Sequence, residues 1–132
     1  RTRAGRMADT GSRTAVLCLC CLLMLLPVAG CMGDSGVSKG AAKERALSAE
    51  EEHIAGQLEN APCVEGWGLT SYAGVEEEAR VTNRTADGVY VAVTHPYAYS
   101  TAEVEADVGS DARYLVTEDA VERVGGTEVS PC

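Results

Sequence analysis

His53 and His95 are the only imidazoles in this chain of 132 residues, so acid–base chemistry at neutral pH would have to centre on one of them. Nucleophilic catalysis needs a Ser or Cys held beside such a base, with a third group to orient it. Neither histidine is accompanied by a G-x-S-x-G elbow or an equivalent motif. A small hydrolase would therefore depend on His95 and an acid neighbour. Paired carboxylates can also hydrolyse, but Glu50–Glu52 read as helix-capping residues and Glu76–Glu78 as a solvated strand face. No glycine loop of the phosphate-binding kind is present. A two-Cys, two-His metal site could combine His53 and His95 with Cys63 and Cys132, yet no short C-x-x-C or H-x-x-x-H spacing supports it. Asp107, Asp111, Glu118 and Asp119 fall near loop ends, but their spacing is not that of a twelve-residue EF-hand loop. The expectation is a non-enzymatic protein without a metal or other cofactor.

The charge distribution points the same way. Lys and Arg total 11 against 20 Asp and Glu, a net charge of −9. Residues 1–30 carry Arg1, Arg3, Arg6 and Arg13 against Asp9, a net +3, so the remaining 102 residues carry −12. A domain that acidic repels a phosphate backbone, which excludes nucleic acid as the expected partner.

The first thirty residues read as an address. Ala15 to Ala29 is a run of fifteen residues without a charge, preceded by Arg13. A membrane-spanning helix needs about 20 apolar residues and at least about 17. A basic flank, a short apolar stretch and a small-residue exit mark a secretory signal peptide over 1–30, with 1–6 ahead of Met7 expected to be either a start-site artefact or part of a fragment. No twin-arginine pair is present, because Arg13 stands between Ser12 and Thr14. The competing reading is an uncleaved anchor helix in which Cys31 is an ordinary thiol. Either way, residues 32–132 are expected at a membrane, outside the cytoplasm.

Val28-Ala29-Gly30-Cys31 resembles the lipobox of bacterial and archaeal lipoproteins. The resemblance implies that Cys31 carries a lipid and becomes the mature N-terminus, placing the protein on the extracytoplasmic face of the cell membrane. Cys18, Cys20 and Cys21 lie within the apolar run and behave as small hydrophobes. With Cys31 assigned to the lipid, Cys63 and Cys132 remain, and outside the cytoplasm they are expected to pair. Closing that loop stabilises a fold by about 4 kcal/mol in the chain-entropy model.

In the mature chain, residues 31–46 read as a lipidated cysteine and flexible Gly/Ser/Ala tether, and 47–132 as the folded domain. Ser48-Ala49-Glu50-Glu51 fits a capping box, which starts a short helix there with Leu47, Ile54 and Leu58 on its apolar face. Asn60, Pro62 and Cys63 end it. Beyond Gly66-Trp67-Gly68 the period changes to two. Val75–Asn83 and Val89–Tyr99 read as strands joined by a turn at Thr85–Gly88, where Asp87-Gly88 supplies positive φ. Glu77 falls on the apolar side of the first, which predicts a bulge or a frayed start. Pro96 predicts an edge or a bend, with His95 beside it as a strand-edge residue. Ala102–Val108, a strand with a helical turn as the alternative, Ala112–Thr117 and Val121–Val124 complete the pattern. The expected fold class is α+β, one N-terminal helix packed on an antiparallel meander of four to five strands. Asn83-Arg84-Thr85 is an N-glycosylation sequon at the hairpin mouth.

The acidic domain prefers arginine to lysine, five to two, and is rich in Ala, Val, Gly, Thr and Glu. Together with Cys63-Val64-Glu65-Gly66-Trp67-Gly68, Val81-Thr82-Asn83-Arg84-Thr85 and Val129-Ser130-Pro131-Cys132, this resembles small haloarchaeal lipoproteins of unassigned function. The resemblance implies an address and a fold style, and no catalytic or binding residues. The functional expectation is a binding or interaction module of the cell envelope, with Tyr90, Tyr97 and Tyr99 as a candidate aromatic contact patch. Its partner would be an envelope protein or ligand. The alternative is a substrate-binding accessory to a transporter or secreted enzyme.

Overall fold

The structure, a computed structural model, describes residues 36–70 and 74–132, all within one compact unit, Gly33–Cys132. The expected signal peptide over 1–30, Cys31 and residues 32–35 of the expected tether lie outside the described residues.

Helix α1 spans Lys39–Glu59, 21 residues, and begins well before the capping box at Ser48. Its N-cap is Ser38, whose hydroxyl accepts a hydrogen bond from the Ala41 N–H at 3.1 Å. Ala41, Ala42 and Ala46 explain the early start: alanine loses no side-chain entropy in a helix, and its small side chain lets the helix approach a sheet closely. Residues 39–46, read from composition as tether, are therefore helix, and the folded body begins by Val37, which is buried. The buried stripe is Ala42, Ala46, Glu50, Ile54 and Leu58, each four residues after the last. Asn60 caps the far end, its side-chain N–H donating to the Gly56 carbonyl at 2.7 Å.

Five strands form one antiparallel sheet: β1 (Gly66–Gly68), β2 (Glu78–Thr85), β3 (Gly88–Ser100), β4 (Glu105–Val116) and β5 (Val121–Gly126). The α+β class and the consecutive β2–β5 meander agree with the sequence pattern. β3 is central. β4 pairs along its whole length, while β2 and β1 share the opposite edge, pairing with Gly88–Thr94 and Ala98–Ser100 respectively. The gap between them falls at Pro96, whose nitrogen has no hydrogen to contribute to a ladder.

Three boundaries differ from the sequence reading. Ala102–Val108 and Ala112–Thr117 belong to one strand, because Gly109-Ser110-Asp111 continues through the sheet opposite Pro96, His95 and Thr94 instead of turning. The β2 bulge lies between Val81 and Asn83, not at Glu77, which precedes the strand. In the β2–β3 hairpin only Gly88 has positive φ, at +146°, and a Cβ there would lie 2.6 Å from the Val116 carbonyl oxygen.

On the helix-facing side of the sheet, Val89, Val91 and Val93 of β3 meet Val116, Tyr114 and Ala112 of β4 beneath Ala42 and Ala46. A second cluster joins Ile54, Leu58, Tyr97 and Val129 near the other end of α1. The Cys63–Cys132 disulfide, Cα–Cα 5.8 Å, ties the helix exit to the C-terminal segment and holds Val129 over Ile54. This confirms the expected pairing. Among the described residues no helix is long and apolar enough to cross a membrane.

Candidate functional site

Between the two apolar clusters lies a polar layer. It is built from Glu50 on α1, His95 on β3, Ser110 and Tyr114 on β4, and Arg123 on β5. Glu50, His95 and Ser110 are each at most 1 % exposed. The Tyr114 hydroxyl donates to Glu50 Oε2 at 2.7 Å, and Arg123 Nε donates to the same oxygen at 3.1 Å. Arg123 also donates to the Thr127 carbonyl at 2.9 Å, anchoring the chain after β5. A buried carboxylate survives only with such partners.

The titration of these groups follows from that geometry. Burial alone would raise the Glu50 pKa, but the hydrogen bonds from Arg123 and Tyr114, a smaller one from Ser110 and the Arg123 charge together hold it below the usual carboxylate value. Tyr114 is pushed well above an ordinary phenol, first by burial and then by the Glu50 carboxylate it must remain protonated to bond. Arg123 is raised: burial opposes its charge, and the Glu50 carboxylate more than offsets this.

His95 lies in the same layer but in a separate set of contacts. Its Nδ1 sits 2.8 Å from the Pro96 carbonyl, which makes Nδ1 the protonated nitrogen. Its Nε2 lies 3.3 Å from Glu77 Oε2 without hydrogen-bond alignment. Glu77 itself is exposed and precedes β2. The buried Ser110 hydroxyl donates to the His95 backbone carbonyl at 3.5 Å. These contacts tie His95 to its neighbours in the sheet. Cys63 and Cys132 are joined to each other, which removes them from any two-Cys, two-His site, and no metal-binding cluster occurs among the described residues.

The far end of the sheet carries an open groove of about 470 Å³. Its floor is made of small residues on the sheet face away from α1: Gly66 and Gly68 of β1 beside Ser100 and Ala98 of β3. Glu105 and Asp107, the β4 partners of Ser100 and Ala98, flank that floor. Trp67, the only tryptophan, borders the groove and is 41 % exposed.

The three tyrosines of the expected contact patch do not come together. Tyr97 is buried against Ile54 and Leu58, and Tyr99 stacks on it with ring centroids 6.3 Å apart. Tyr90 lies at the other end of β3 on the opposite face, paired with Leu115. The residue parity of β3 separates them: positions 97 and 99 share the helix-facing side with the valines, and position 90 does not. Asn83 is exposed at the β2 bulge, its side-chain oxygen accepting from the Arg84 N–H at 2.8 Å.

The polar layer itself escaped the sequence reading. Glu50 stood in an acidic trio that fitted a helix start, and Arg123 stood in a short surface strand. The available signal was the unbroken four-residue spacing from Ala42 to Leu58, which passes through Glu50 and places it on the buried face. No family model, no curated protein and no solved structure matches this chain, so its own residues carry the functional reading.

Proposed function

We propose that this chain is a membrane-anchored extracytoplasmic lipoprotein, non-enzymatic, in which a small disulfide-closed domain serves as a binding or interaction module of the cell envelope. The observation that carries the reading is the Val28-Ala29-Gly30-Cys31 sequence at the end of a short uncharged run, with a folded domain beginning a few residues later. The Cys63–Cys132 bridge adds support, because structural disulfides persist in oxidising compartments. The buried, carbonyl-bonded state of His95 supports a non-enzymatic role. The strongly acidic composition suits a protein working in concentrated salt, in keeping with the haloarchaeal resemblance.

The test is fractionation of cells expressing the chain and its Cys31→Ser variant. The reading expects the parent in the membrane fraction, released by detergent but not by salt, and the variant in the soluble extracytoplasmic fraction or unprocessed. A Cys31→Ser protein that is cleaved and still membrane-bound overturns the lipid anchor.

The groove favours a second reading, a substrate-binding accessory taking a small ligand with a cationic group beside Glu105 and Asp107. Trp67 fluorescence reports on it directly. A shift on titrating the extracytoplasmic small-molecule pool, abolished by Ala98→Leu, favours ligand binding, and an unchanged spectrum removes it.

A further inference from the structure

We infer that the domain stands on the membrane by one defined end, with its strands running away from a lipid headgroup surface and the Trp67 groove at the far tip. This rests on Cys31 being the lipid-bearing residue. Two observations carry it, the chain length available to the anchor and the distribution of charge.

The chain enters the fold at the end where α1 begins. There Arg84 donates to the Val37 carbonyl at 3.1 Å, Arg45 donates to the Thr117 carbonyl, and the Glu118 carboxylate lies against Gly36. The start of α1, the β2–β3 turn and the β4–β5 turn are thereby gathered at one pole. β3 starts at that pole and runs thirteen residues to Ser100, a length of about 40 Å at strand rise. From Cys31 to Gly36 the chain advances five residues, which reach at most about 18 Å fully extended. A lipid on Cys31 therefore keeps the α1 pole near the headgroups and cannot deliver the far end to them first.

Chain length alone would let the domain lie on its side. Charge opposes that. Segments 36–45, 84–88 and 117–120, which build the near pole, hold Lys39, Lys43, Arg45 and Arg84 against Glu44, Asp87, Glu118 and Asp119 and are neutral. Across the other described residues, Arg80, Arg113 and Arg123 face fourteen acids, a net −11. Within a Debye length, about 10 Å at 0.1 M salt and about 3 Å at 1 M, an anionic headgroup surface accepts the neutral pole, helped by the positive end of the α1 dipole, and repels the flanks and tip. Both lysines of the domain, Lys39 and Lys43, are exposed on the first turns of α1.

The test uses lipidated chain purified from membranes and reconstituted in vesicles of phosphatidylcholine and phosphatidylglycerol at low salt. Ala86→Cys in the near turn and Glu103→Cys in the β3–β4 turn are each labelled with a thiol fluorophore without reductant, which leaves the Cys63–Cys132 bridge intact. Nitroxide-headgroup lipid is then titrated in. The expected result is progressive quenching at position 86 and none at position 103. Intact mass on the same preparation establishes whether Cys31 carries lipid. With lipid present, equal quenching at both sites, quenching at 103 alone or none at either overturns the orientation and leaves the anchor standing. Absence of lipid on Cys31 overturns the anchor and the orientation with it.

Discussion

Replacing Arg123 with methionine tests whether the polar layer is held by a buried charge pair. Methionine keeps most of the packed stem and removes the guanidinium, leaving the Glu50 carboxylate, 0 % exposed, with Tyr114 as its main donor. Breaking one side of a buried pair costs about 3–5 kcal/mol. The Arg123 side chain is itself 20 % exposed and the 2.7 Å Tyr114 bond survives, so the lower end applies. The expected loss is about 3 kcal/mol at pH 7, or roughly 12–24 °C in Tm for a domain of this size. Urea unfolding followed by far-ultraviolet circular dichroism and by Trp67 fluorescence measures it. The pH dependence supplies a second check. Glu50 has a folded pKa below its unfolded value, so its stabilisation is present above the ordinary carboxylate range and fades as pH falls through the folded value. Without Arg123, burial dominates and reverses that sign, so the gap between parent and Arg123→Met narrows on acidification. Converting the layer as a whole, Glu50→Leu with Tyr114→Phe and Arg123→Met, should recover most of the loss, because no uncompensated charge remains. An Arg123→Met protein within about 0.5 kcal/mol of the parent, or a gap independent of pH, would refute the reasoning.

Further outcomes follow from single features. The Cys63–Cys132 bridge closes a separation of 69 residues; its removal in a Cys63→Ala/Cys132→Ala pair should lower stability by about 4 kcal/mol, measured by urea unfolding under non-reducing conditions. Gly88→Ala places a Cβ against the Val116 carbonyl at positive φ and should cost more than about 1 kcal/mol, with the loss appearing in thermal melts. Screening the domain's self-repulsion should raise Tm as sodium chloride increases from low to molar concentration, and a salt-independent Tm would contradict the halophilic reading.

The parts of the fold written in side-chain period were legible from the sequence, and the parts decided by packing were not. Val89, Val91 and Val93 alternate cleanly, and the hairpin leading into them carries its own turn residues. Cys63 and Cys132 are the pair that remains once the lipobox resemblance assigns Cys31 to a lipid. The first turns of α1 were not legible, because Gly40, Ala41, Ala42 and Lys43 have the composition of a spacer. Alanine's helix propensity favours these turns, and the fit of Ala42 and Ala46 against a valine sheet, a tertiary effect, fixes them as helix. Gly109-Ser110-Asp111 has turn chemistry yet stays extended, since β3 is long enough to pair past it. Glu50 shows the same limit in the site: charge type placed it on the surface, and only the four-residue stripe placed it beneath Tyr114 and Arg123. Trp67 and the small residues opposite it were visible, but their grouping into a groove depends on β1 sharing an edge with β2.

Intact mass of the membrane-extracted protein, taken with and without reductant, tests the central claim most directly. The account predicts a chain that begins at lipid-modified Cys31 and gains the mass of two hydrogens on reduction, as the Cys63–Cys132 bridge opens. A mass that still includes residues 7–30, with Cys31 free, would contradict it.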